Sequence, residues 1–79
     1  RRAYKETTFQ QLRSFHEAAR LGSFAAAAGS LGLAQPTVWL QVRALERELG
    51  VRLIEPGRGG GLTDDGRLLA ELAGPAVLA

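Results

Sequence analysis

The chain contains no cysteine and no methionine, and only one histidine. The lack of cysteine excludes disulfides, thiolate metal sites and cysteine nucleophiles. It also fits a cytoplasmic setting. One histidine makes neither a histidine pair nor a His-rich metal centre. No apolar run approaches the ~18 residues a membrane span requires. The charged start Arg1-Arg2 is not followed by the apolar stretch of a secretory signal. No nucleophile–base pair or metal cluster is visible, and Gly59-Gly60-Gly61 lacks the Lys-Ser/Thr of a phosphate-binding loop. An enzyme is therefore not expected, and no cofactor is implied. The 79 residues suffice for one small domain with a thin core. With no methionine at position 1, the chain is expected to be part of something longer.

Charge is unevenly spread. Residues 1–62 hold nine Lys/Arg against five Asp/Glu, whereas residues 63–79 hold Arg67 against Asp64, Asp65 and Glu71. A basic body with a mildly acidic tail suits a polyanionic partner for the body. A solvated surface of mixed charge is the alternative.

Residues 1–7 show no periodicity and read as a frayed arm. Thr8-Phe9-Gln10-Gln11 has the form of a capping box. Phe9, Leu12, Phe15 or His16, and Ala19 then recur at helical spacing, which predicts a first helix from about Phe9 to Leu21, stopped by Gly22. Ser23 caps a second helix whose apolar face is Phe24, Ala27, Ala28 and Leu31. Gly32 ends it, and Leu33 plugs the turn. Gln35-Pro36-Thr37 opens a third helix, because proline is tolerated in a first turn. Val38, Val42, Leu45 and Leu49 make its inward stripe, and Gly50 stops it.

Val51, Leu53 and Ile54 read as a short strand, with Arg52 and Glu55 turned outward. Residues 56–61 form a glycine-rich turn, and Leu62-Thr63 a short return strand. Thr63-Asp64-Asp65 starts a fourth helix, with carboxylates at the positive end of its dipole. Leu68, Leu69, Leu72 and Ala73 form its apolar face, and Gly74-Pro75 is expected to kink or end it. That face is too exposed for a lone small domain, so pairing with a second copy is expected. The organisation is mainly α: a winged helix-turn-helix with a three-helix core and a two-stranded wing in residues 1–62, then a linker or dimerisation helix in residues 63–79.

In such a fold the third helix enters a DNA major groove and the wing reaches a neighbouring groove or the backbone. At ~100° per residue, Pro36, Leu40, Arg43, Ala44 and Arg47 point farthest from the inward stripe. Thr37, Trp39 and Gln41 flank them, and Glu46 and Glu48 lie nearer the sides. No carboxylate stands in the outward set, so the face meets phosphates without repulsion.

The stretch FQQLRSFHEAARLGSFAAAAGSLGLAQPTVWLQVRALERELGVRLIE, with GLTDDGRLL after the turn, resembles the N-terminal DNA-binding domain of LysR-type bacterial transcriptional regulators. Gly22-Ser23-Phe24, Ala27-Ala28, Gln35-Pro36, Val42-Arg43-Ala44-Leu45-Glu46, Leu49-Gly50-Val51-Arg52-Leu53 and Leu62-Thr63 carry the resemblance. It implies double-stranded promoter DNA as partner, homodimers through the linker helix within tetramers, and a small-molecule effector domain that is absent here. The glycine-rich wing is also similar to that of molybdate-responsive regulators, but the Gln-Pro start argues for the LysR type.

The resemblance carries over Gln35, Pro36, Thr37, Gln41, Arg43 and, in the wing, Arg58 as DNA-binding positions. Ser23 lies at a step near the DNA backbone in such proteins. Three positions depart from the family pattern of a serine before Gln-Pro and a Ser-Arg pair before the next Gln: Ala34, Trp39 and Leu40. Ala34 removes a helix cap. Leu40 cannot donate to a base edge or a phosphate, though it can pack on a thymine methyl. Gln35 suits an adenine edge, Thr37 a phosphate or a thymine methyl, and Gln41 a phosphate. Arg43 and Arg47 suit phosphates, with pairing to Glu46 or Glu48 as the alternative. Arg58 suits a minor groove. Trp39 stacks on a sugar if exposed, or packs on the second-helix alanines if buried. A second functional reading, motivated by Trp39 and Leu40, is a protein-association module that has lost specific DNA binding.

Overall fold

The structure, a computed structural model, describes residues 2–55 and 61–78, with side chains for residues 8–55 and 61–72. Four helices follow in order: α1 (Arg2–Leu21), α2 (Phe24–Leu31), α3 (Gln35–Leu49) and α4 (Asp64–Leu78). They pack around a core of Phe15, Ala18, Ala27, Ala28, Val38, Val42, Leu45, Leu53 and Ile54. α1 lies at the centre and touches each of the other three helices.

The helix-turn-helix is built from local signals. Ser23, in extended backbone, accepts the Ala26 N–H on its hydroxyl at 3.0 Å and so caps α2. The small Ala27 and Ala28 are buried and let α2 sit close to its neighbours. Gly32 and Gly50 end α2 and α3 at φ of 70° and 74°, a left-handed conformation that other L-residues reach only with strain. The N-cap of α3 is Ala34, which makes no side-chain cap bond, while Pro36 sits in the first turn.

Three expectations about the helices need correction. α1 starts at Arg2 rather than near Phe9, so Thr8 lies inside the helix and does not cap it. The segment Arg2-Ala3-Tyr4-Lys5-Glu6 lacks an apolar stripe but is rich in strong helix formers and free of Gly and Pro. α4 continues through Gly74-Pro75 to Leu78, so of the expected kink or end it is the end that does not occur. Gly74 has no Cβ to collide with the proline ring, which relieves one of the clashes that disfavour helix at a proline. In α3, Leu49 is 50% exposed, and Glu46, at 6%, takes the next inward position after Leu45.

The wing is slighter than two regular strands. Among the described residues it is one antiparallel bridge between Ile54 and Leu62. The Glu55 N–H donates to the Gly61 carbonyl at 2.7 Å, and the Thr63 N–H to the Leu53 carbonyl at 3.0 Å. Leu53 and Ile54 are both buried while Val51 is exposed, so the segment does not alternate as a strand would. The expected turn over residues 56–60, with Arg58, lies outside the described residues.

α4 is seated on the base of the wing. Thr63 Oγ1 accepts the Gly66 N–H at 2.9 Å and donates to the Arg52 carbonyl at 2.6 Å. Gly66 is buried, and a Cβ there would stand 2.0 Å from the Leu53 carbonyl oxygen. Only a residue without a side chain permits that approach. The result is a winged helix-turn-helix followed by a helix anchored to the wing.

Candidate nucleic-acid interface

The outward face of α3 carries the predicted contact residues, and the structure sorts them into three groups. Gln35, Pro36, Trp39, Leu40 and Arg47 are exposed, and Thr37 is half-buried. Gln35 to Leu40 lie in the first turns of the helix, and Arg47 in its last turn. Ser23 is half-buried and occupied as the α2 cap.

Gln41 and Arg43 make the second group, because both are engaged within the protein. Gln41 Oε1 accepts a hydrogen bond from the Ser14 hydroxyl, which ties α3 to α1. Arg43 Nη1 pairs with Glu46 Oε1 at 2.5 Å, with 17% of the arginine side chain exposed. Its guanidinium carbon also lies 5.5 Å from the centroid of the Trp39 ring. Trp39, 44% exposed, is thus a surface residue steadied by Arg43, not part of the core.

The third group lies beyond α3. In α4, Leu68 and Leu72 are 56% and 68% exposed, whereas Leu69 packs partly against the core. The side chain of Ala73, like Arg58, lies outside the described residues.

Two features were missed by sequence reasoning. The first is Glu46, expected at the side of the helix and found buried. Its Oε2 accepts the Leu53 N–H at 2.8 Å and the Ile54 N–H at 3.1 Å, while Oε1 takes Arg43. Burial pushes the Glu46 carboxyl up, but the two backbone N–H groups and Arg43 outweigh it and hold it below its ordinary value. Glu46 therefore joins α3 to the entry of the wing. No local signal marks it, since the partners lie in another segment. The second is Arg52. With Arg43, Glu46, Arg47, Gly50 and Val51 it lines a cleft of about 330 Å³ between the end of α3 and the wing. Arg47 and Arg52 make no ion pair among the described residues, so two free cations flank the cleft. A basic residue directly after Gly50-Val51 was the available clue.

Glu17 plays a similar tying role between α1 and α2. It accepts hydrogen bonds from Arg20 at 2.7 Å and from the Ser30 hydroxyl. These bonds, Arg20 first, hold its carboxyl down at about 2.

Among the described residues no group of His, Asp and Glu is arranged to hold a metal ion. No described helix is long and apolar enough to cross a membrane. Helix-turn-helix, wing base and an outward helix face free of accessible carboxylates as far as Arg47 define a DNA-binding transcription-factor domain.

Comparison with known proteins then narrows the class. Residues 9–67 match the bacterial regulatory helix-turn-helix protein, lysR family, and the chain belongs to that family. It is 36% identical over 69 residues to the HTH-type transcriptional regulator YtlI of Bacillus subtilis strain 168, covering 87% of this chain and 22% of YtlI. The chain thus spans about a fifth of the length of the curated relatives it matches. Among crystal structures, the BenM DBD/benA site 1 DNA complex matches with a TM-score of 0.83 at 34% identity, covering 89% of this chain and 80% of that one. The CbnR DBD–DNA complex matches with a TM-score of 0.81 at 39% identity, covering 89% and 82%. These neighbours do not favour the protein-association reading.

Proposed function

We propose that the chain is the promoter-binding part of a cytoplasmic LysR-type regulator without enzymatic activity, acting on double-stranded DNA as a homodimer. α3 enters the major groove with Gln35, Pro36, Thr37, Trp39 and Leu40 leading. Arg47 and Arg52 meet phosphates on the flank, and Ser23 and Arg58 reach the backbone and minor groove. Gln41 and Arg43 hold this face in place from behind. Residues 1–62 form the binding unit. Residues 63–79 form the linker helix, which pairs two copies through Leu68 and Leu72, with Leu69 and Ala73 on the same helix. Tetramers and a small-molecule effector domain belong to the longer protein.

The observation that carries this reading is the outward face of α3. Its first acidic residue, Glu46, is buried, and its far end is flanked by the free Arg47 and Arg52. Binding of a mixed duplex pool is expected to weaken steeply with salt. Arg47→Ala and Arg52→Ala are each expected to lower affinity on all sequences alike and to reduce the salt slope by about 1. A chain that binds no duplex even at low salt would defeat the proposal.

A further inference from the structure

The middle of the face that α3 offers to a duplex is short of free hydrogen-bond donors and acceptors. Gln41 has its amide oxygen taken by Ser14. Arg43, whose guanidinium otherwise suits a guanine edge, is held between Glu46 and the Trp39 ring. What stands free in the middle of the helix is apolar: Trp39 and Leu40, the latter 57% exposed. A single exposed leucine needs no explanation. Here two large apolar residues are adjacent and lie between polar Gln35 and cationic Arg47. They are continuous with the surface already assigned to DNA, and the flanking arginines match a polyanion.

Resting on that DNA-binding reading, we infer that Trp39 and Leu40 form an apolar reader of thymine. Leu40 closes on C5-methyl groups in the major groove, and Trp39, propped by Arg43, forms the adjoining wall. The thymine methyl is the one apolar group that base edges present in that groove. An apolar face also selects against a G·C pair, because the polar edge groups of either pair lose water against it and only the A·T pair returns a methyl contact. Discrimination at this position is therefore a matter of contact and desolvation rather than charge. It separates from the phosphate contacts of Arg47 and Arg52, which hold the duplex without reading it.

The test uses duplexes selected by this chain from a random pool. Thymine is expected at fixed positions in the selected sites. Replacing each of those thymines by deoxyuridine removes only the methyl. In fluorescence anisotropy titrations this is expected to weaken binding about fourfold per contacted methyl, the equivalent of one buried carbon. Leu40→Ala is expected to abolish that difference while leaving the salt slope and the circular dichroism unchanged. Deoxyuridine duplexes bound as tightly as thymine duplexes at every position would overturn the inference. So would a Leu40→Ala chain that keeps the full difference. Failure to bind any duplex at low salt would remove the DNA-binding reading itself, and this inference with it.

Discussion

Glu46 offers the sharpest test of how the wing is held to α3. Truncation by Glu46→Ala leaves the N–H groups of Leu53 and Ile54, two buried residues, without their acceptor. An orphaned buried donor costs ~1–3 kcal/mol, so the pair places the loss at ~2–6 kcal/mol. A domain of this size has only about 4–12 kcal/mol in total, so the variant is expected near the edge of folding. Glu46→Gln keeps one carbonyl oxygen able to accept both N–H groups, but turns its amide donors toward Arg43. That substitution is expected to cost ~1–2 kcal/mol. Arg43→Ala leaves the carboxylate bonded to both backbone groups, and its expected cost is ~1 kcal/mol or less. Urea denaturation at neutral pH gives the ranking. Amide hydrogen exchange localises it, since Leu53 and Ile54 are expected to lose protection in Glu46→Gln before the core amides of α1 do. If Arg43→Ala cost as much as Glu46→Ala, the ion pair would be the important interaction and the backbone reasoning would be wrong.

Other perturbations probe other joints. Gly66→Ala pushes a methyl into the Leu53 carbonyl, which is backbone and cannot swing aside; a loss of ~2–3 kcal/mol is expected. Gly29→Ala, in α2 with open space around the added methyl, is expected instead to gain ~0.5–1 kcal/mol, and chemical denaturation compares the two. Because the Glu17 carboxyl is lowered from 4.5 to about 2, its contribution is complete above pH 4.5 and is lost as pH falls toward 2. Glu46 acts in the same direction. Thermal melts across that window are expected to show a shallower acid limb for Glu17→Gln, and a limb identical to the wild type would count against the α1–α2 tie. Ala34→Ser supplies the missing cap of α3 and is expected to stabilise by ~0.5–1 kcal/mol, read as a raised urea midpoint. Leu72→Glu is expected to shift sedimentation toward the monomer without altering helicity; an unchanged mass would place the dimer contact elsewhere.

The parts of the fold legible in the sequence are those set by neighbours along the chain. Ser23 and Gly32 bound α2, and Gln35-Pro36 and Gly50 bound α3, because capping and left-handed turns depend on residues a few positions away. The missing cap at Ala34 was visible for the same reason. What was not legible depends on segments meeting in space. Glu46 looks like a solvated helix residue until Leu53 and Ile54 fold back over it. Leu49 loses its inward place to Glu46 by the same event. Gly66 looks like a weak point in a helix until the Leu53 carbonyl is set against it. In the candidate interface, Pro36, Leu40 and Arg47 stand at the surface as helical spacing requires, and so does Gln35, which the family resemblance pointed to. The pairing of Arg43 with Glu46 was open to the sequence as an alternative, whereas the withdrawal of Gln41 required knowing where Ser14 lies.

The seating of α4 on Leu53 has a consequence for the spacing of target sites. Backbone meets backbone at Gly66, with no flexible side chain between to act as a cushion. In the proposed dimer joined through α4, this close seat ties the direction of that helix to the wing base of each copy, like the arms of a caliper. DNA turns once in about 10–10.5 base pairs. Inserting about five base pairs between half-sites would carry one half-site to the opposite side of the duplex. A caliper of this kind cannot follow it, whereas a domain on a loose hinge could.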